Sequence, residues 1–229
     1  MCTVVVRWDA GAPVQVLALR DELVGREFDD PGNWWPDQPG VVGGRDRSAG
    51  GTWCASDLES GRSALVLNRP ERRLAAPGAS SRGVLPLLAL AHGPSWQTAM
   101  KLDGMASFSL LLATPGSLTS WDFDGSTLTR RNHQPGTLMF TSGGAEDGKA
   151  DRFLSSFESA DFPAGWHAIL EALSPTDDLA SLVVRHQRDG RVYATVFGQL
   201  FEQEPGRLHF EYSRTPWGNA PWSVRDLPV

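Results

Sequence analysis

Short runs of alternating apolar and polar residues, separated by glycine and proline turns, organise the chain. Residues 2–8 are β-branched and apolar and predict a strand, and Val14–Leu19 predicts a second. Gly11 and Pro13 between them predict a hairpin. A glycine-, proline- and aspartate-rich stretch over residues 25–51 predicts a long loop, functional or poorly ordered. Strands are expected again at 51–55 and 63–67. A helix is expected over Arg82–Leu90, with Ser81 as its cap and Pro86 tolerated near its start. Trp96–Leu102 reads as a shorter helix. Ser107–Ala113, Ser117–Phe123, Ser126–Arg131 and Gly136–Thr141 read as strands, with turns at Pro115-Gly116 and Asp124-Gly125. Helices are expected over residues 149–159, 166–173 and 177–183. Two last strands, 191–202 and 207–212, flank Pro205-Gly206.

Strands, helices, strands, helices, strands is the order of an α+β fold built on mainly antiparallel sheets, not of a doubly wound one. The length of 229 residues predicts a single domain, and 41% hydrophobic residues suffice for a core without staples. The formal charge of −6 argues against a nucleic-acid partner. Two cysteines, Cys2 and Cys54, make neither a disulfide framework nor a zinc site, which fits a reducing cytoplasm. The longest apolar run, near Val84–Ala91, is far short of a membrane span, and no signal peptide is legible. A soluble cytoplasmic protein is expected.

The residues that carry chemistry lie near the start. Removal of Met1 would leave Cys2 with a thiol and an α-amine on one residue, a nucleophile beside its own base. The hairpin brings Arg20 and Asp21 to the end of the sheet where Cys2 lies. Arg20 is expected to lower the thiol pKa and Asp21 to hold the amine or thiol. The alternative is a small apolar residue at a salt-bridged strand end. Trp34, Trp35 and Trp53 fall in or beside the long loop and are candidates to line an apolar ligand cleft, with Arg45 and Asp46 at its edge. Residues 143–149 have the spacing G-x-x-x-x-G-K of a phosphate loop. Ala150 replaces the magnesium-binding hydroxyl, and Glu146 and Asp147 occupy the phosphate positions, so this reads as a turn and helix start. The five histidines show no metal-ligand spacing, and no metal is expected.

An ordered set of motifs adds to this reading: Met1-Cys2, Leu19-Arg20-Asp21-Glu22, Trp35-Pro36-Asp37, Gly44-Arg45-Asp46, Gly50-Gly51-Thr52-Trp53, then Asn68-Arg69 and Ser81-Arg82-Gly83. The set resembles the NRDE proteins, also called the transport and Golgi organisation family. That family is in turn similar to the N-terminal nucleophile hydrolases, whose cysteine branch includes bile salt and penicillin amidases. The resemblance implies a four-layer αββα sandwich and hydrolysis of a linear, non-peptide amide through a thioester. It implies Cys2 as nucleophile, its amine as base, Arg20 and Asp21 as supports, and Asn68 as a contributor to an oxyanion hole. It carries no cofactor. The chain departs from the pattern at Leu19 (asparagine in the family), around Ser142-Gly143 (asparagine) and at Val196 (arginine). The family's links to haem or lipid handling imply an alternative, a binding protein whose tryptophan-lined cleft meets the polar end of a ligand near Cys2 or Arg20.

Overall fold

The computed structural model describes residues 2–69, 75–144 and 148–228, with residues 227 and 228 as backbone only. Fourteen strands are present among them. They are β1 (Thr3–Trp8), β2 (Val14–Leu23), β3 (Phe28–Gly32), β4 (Val41–Asp46), β5 (Cys54–Asp57), β6 (Arg62–Asn68), β7 (Phe108–Thr114), β8 (Ser117–Phe123), β9 (Leu128–His133), β10 (Gly136–Thr141), β11 (Arg185–Arg188), β12 (Arg191–Glu204), β13 (Arg207–Ser213) and β14 (Ser223–Pro228). Three α-helices accompany them: α1 (Leu85–His92), α2 (Lys149–Ser159) and α3 (Ala164–Glu171). None is long and apolar enough to cross a membrane.

The strands form two seven-stranded sheets whose pairings are antiparallel. The second sheet is a meander, β3 to β9 in chain order. The first is assembled from both parts of the chain, in the order β10-β1-β2-β12-β13-β14, with β11 on β12. Strand alternation then sorts the side chains. Val4, Val6, Val16 and Ala18 face Leu65, Leu67, Leu111 and Cys54 of the meander in the core between the sheets. Val5, Leu17 and Leu19 point the other way, onto Phe153 and Phe157 of α2 and Trp166 and Leu170 of α3. On the far side of the meander, Leu85, Leu87 and Leu90 of α1 pack with Trp96, Phe108 and Trp121. The class is the expected α+β with two antiparallel sheets. Its layering is compatible with an αββα sandwich.

Several elements differ from their sequence expectations. The long loop contains β3 and β4, two short strands whose glycines and prolines weaken the pattern but which pair in the meander. Residues 177–183 form turns rather than a helix, and lead into β11. Trp96–Leu102 is replaced by a 3-10 turn over Gly93–Thr98. Around Arg82 the chain also makes a 3-10 turn before α1. Ser81 caps that turn by accepting a hydrogen bond from the Gly83 amide, and Pro86 sits in the first turn of α1, where no amide is needed.

Candidate functional site

The hairpin does what its turn residues predict. Its register runs from Arg7↔Gln15 to Thr3↔Leu19 and delivers Cys2 to the end of the sheet that holds Arg20 and Asp21. On the other flank, β10 ends at Thr141, and Ser142 follows it. The Cys2 amide nitrogen donates to Ser142 Oγ at 2.8 Å, and the Ser142 amide donates to the Cys2 carbonyl at 3.0 Å. Cys2 Sγ lies 3.9 Å from the Asp21 carbonyl oxygen. Ser142, at a departure from the family pattern, thus supplies the polar group nearest to the Cys2 nitrogen among these contacts. Met1 and residues 145–147 of the glycine loop, with Glu146 and Asp147, lie outside the described residues.

Arg20 and Asp21 reach the same end of the strand but opposite faces of the sheet, because successive strand residues alternate. Arg20 enters the space between the sheets. Its Nη2 bonds Asp46 at 3.2 Å and Glu22 at 3.4 Å, and Arg26 joins Asp46 at 2.6 Å. Its Nη1 is buried without a hydrogen-bond partner among the described residues, and the guanidinium lies over the rings of Trp53 (4.5 Å) and Phe28 (5.2 Å). The ring faces take the place of water for part of this cation. Asp21 enters the helical side. It accepts from Thr195 Oγ1 at 2.6 Å and lies 3.6 Å from Lys149 Nζ, and both of these charged side chains are fully buried. Lys149 also donates to Thr3 Oγ1 at 3.0 Å.

A β-bulge on β12 makes this division possible. Thr195 pairs with Asp21 and Phe197 with Arg20, so Val196 is the extra residue. Without the bulge Thr195 and Phe197 would share a face. With it, the hydroxyl reaches Asp21 while Phe197 packs edge-on against Trp53 and Phe28 at 5.5 Å. Val196, where the family pattern has an arginine, packs against the core between the sheets. Lys149 was legible only as a helix start. It shares the buried face of α2 with Phe153 and Phe157 at four-residue spacing, and that face carries the ammonium to Asp21.

The thiol differs from its expectation. Burial pushes the Cys2 pKa up and the Asp21 carboxylate adds to the push. A backbone contact of Asp21 and the charge of Arg20 act the other way and do not offset it. Arg20 is a weak activator because Asp46 and Glu22 already engage it. Cys54 is fully buried, and burial raises its thiol well above the ordinary value.

Next to the Cys2 contacts Asp21 and Ser142 opens a cavity of about 610 Å³, within the range of small-molecule sites, with Cys2 and Arg20 themselves absent from its wall. Asp21, Glu22, Asn68 and Ser142 contribute to its wall, and so do Arg82, His186 and Tyr193. Asn68 thus shares a cavity wall with Asp21 and Ser142, the two residues that contact Cys2. The aromatic set is divided. Trp53 adjoins Arg20, whereas Trp34 is stacked under Arg45 at 4.7 Å and donates to the Asp30 carbonyl. Trp35 donates to the Gly50 carbonyl and packs toward α1. Arg45 pairs with Asp29. Asp46 binds Arg20 and Arg26 and accepts from the Ser48 and Ala49 amides. Trp34, Trp35, Arg45, Asp46 and Trp53 are absent from the cavity wall. His186 and Tyr193, stacked at 5.8 Å, are wall residues that periodicity did not single out. Among the described residues no group of three or more His, Cys, Asp or Glu is arranged to hold a metal ion.

The motif glycines have a packing reason. A Cβ on Gly44 would stand 2.4 Å from the Trp53 ring, and one on Gly51 would stand 2.4 Å from the Gly83 carbonyl carbon. The Thr52 amide donates to the Gly83 carbonyl at 2.9 Å. Three separate motifs thus touch through positions that admit no side chain. A family model described as Transport and Golgi organisation 2 matches residues 1–158. No curated protein matches the chain. The chain belongs to the Transport and Golgi organisation 2 family.

Proposed function

From membership of this family we propose that the protein is an amide hydrolase of the N-terminal cysteine type, acting on a linear, non-peptide C–N bond after Met1 is removed. One observation carries the reading. The Cys2 nitrogen is held by Ser142 Oγ at 2.8 Å, and Ser142 and Asp21, which both contact Cys2, line a cavity large enough for a small molecule. A free α-amine held this way donates one N–H to Ser142 and keeps its lone pair. That lone pair takes the thiol proton as Sγ bonds to the carbonyl carbon. The resulting ammonium returns the proton to the leaving nitrogen as the C–N bond breaks. Water then cleaves the thioester and restores the thiol. The raised thiol pKa makes this internal base necessary, since Arg20 alone does not ionise the sulfur. Asn68 is the side-chain donor proposed for the oxyanion, where losing one donor costs about 3 kcal/mol. Arg20 and Asp21 act as supports from the two faces of β2.

A second reading is favoured by the same raised thiol pKa. In it the cavity binds an amphipathic ligand of the haem or lipid kind without turnover. Intact mass and iodoacetamide labelling separate the two. The hydrolase reading expects a chain lacking Met1, labelling at Cys2 far faster than at buried Cys54 and rising with pH, and thioester trapping abolished in Cys2→Ser. Retained Met1 or equal labelling of both cysteines sinks it. Ligand binding that survives Cys2→Ala without any turnover supports the second reading.

A further inference from the structure

We propose that the cavity beside Cys2 takes a ligand bearing a carboxylate and that Arg82 receives that carboxylate. The inference depends on the reading above only in treating this cavity as the ligand site. Most charged groups of the wall are already paired. Asp21 is paired with Lys149 at 3.6 Å, Glu22 with Arg20 at 3.4 Å and Arg26 at 3.9 Å, and Arg69 with Asp122 at 2.9 Å. Arg188 lies 3.5 Å from Asp189. Burial pushes the His186 imidazole below its ordinary pKa, toward the neutral form.

Arg82 is different. Its Nη1 donates to the Ser107 carbonyl at 2.9 Å, and no carboxylate oxygen among the described residues lies within ion-pair distance of it. A half-buried guanidinium in a cavity wall, satisfied by one neutral carbonyl, keeps most of its planar donor fork for something else. A carboxylate matches that fork with two parallel hydrogen bonds. Burial pushes the Arg82 guanidinium below its ordinary pKa, a desolvation cost that a carboxylate partner offsets.

The backbone on either side of Arg82 is fixed before any ligand arrives. Ser81 Oγ accepts from the Gly83 amide, the Gly83 carbonyl accepts from Thr52, and Gly51 lies flat against Gly83. Such a clamp lowers the ordering cost of binding. Ala75, Ala79, Ala106 and Tyr193 give the same cavity apolar wall beside the cation. The ligand class is therefore a monocarboxylate with a short apolar body.

Calorimetric titration of the Cys2→Ala protein with octanoate and with octanamide tests this, because neither probe can be turned over there. Octanoate should bind about tenfold tighter than octanamide, the scale of a charge-assisted hydrogen bond. The preference should vanish in Arg82→Gln and survive in part in Arg82→Lys, which keeps the charge and loses the fork. Equal affinities in Cys2→Ala, no octanoate binding, or a preference that persists in Arg82→Gln would overturn the proposal. Displacement of octanoate by inorganic phosphate at lower concentration than by acetate would overturn the carboxylate class. Each of these outcomes leaves the labelling and mass results for Cys2 unaffected, so the two readings fail separately.

Discussion

The two faces of β2 at its outer end handle charge in different ways. Between the sheets, Arg20 belongs to a cluster of four charges with Asp46, Glu22 and Arg26 that reaches solvent, the last two side chains being 27% and 37% exposed. Aromatic rings cover the buried part of its guanidinium. On the helical face, Asp21 and Lys149 meet with no exposure at all, helped by two threonine hydroxyls. The first arrangement has redundancy, since Asp46 touches two arginines. The second is an ion pair whose two side chains are both fully buried. Adjacent residues of one strand thus sit in environments of different dielectric. Their charges are not interchangeable supports for Cys2.

Breaking the dry pair should have the largest effect. Lys149→Met removes an ammonium from the buried Asp21 and should cost about 3–5 kcal/mol in urea unfolding, the range for truncating one partner of a buried pair. Arg20→Met should cost less, about 2 kcal/mol, because Asp46 keeps Arg26 and the methionine still covers Trp53 and Phe28. An Arg20→Met penalty equal to or above that of Lys149→Met would erase the distinction between the faces.

The smallest effect is a pH dependence of the wet cluster. Burial pushes the Asp46 carboxyl up, but the Arg26 hydrogen bond, the Ala49 amide and the charges of Arg26 and Arg20 bring it below its ordinary value. A carboxyl depressed in the folded state stabilises the fold above its unfolded pKa of about 4 and loses that contribution as the pH falls through the folded value. The stability difference between the natural protein and Asp46→Asn should therefore be constant near neutrality and shrink below about pH 4. A difference that grows on acidification would mean that Asp46 is not held by these arginines.

Much of the scaffold was legible from local pattern. The β1–β2 hairpin, the paired strands 107–113 and 117–123, α2 and the long C-terminal hairpin follow from alternation, helical spacing and turn residues, which are properties of neighbouring positions. β3 and β4 were hidden because Gly43, Gly44, Pro31 and Gly32 suit a strand only when another strand or a tryptophan ring lies against them. The turns at 177–183 were misread as helix because their apolar residues, Leu182 and Val183, are buried by tertiary packing rather than by a helical stripe.

The site divides along the same line. The amino-acid sequence by itself determined that Cys2, Arg20 and Asp21 arrive at one end of a hairpin, because a register depends on turn length and strand period. It also determined family membership, through ordered short motifs. Tertiary structure alone decided that Ser142 holds the Cys2 nitrogen, that a bulge at Val196 turns Thr195 toward Asp21, that Lys149 forms a buried pair with Asp21, and that Arg82 lines the cavity with no carboxylate paired to it among the described residues. Those contacts join residues up to 174 positions apart, as between Asp21 and Thr195. Spacing along the chain carries no information at that range, so only the packing of strands and helices from both parts of the chain could bring them together.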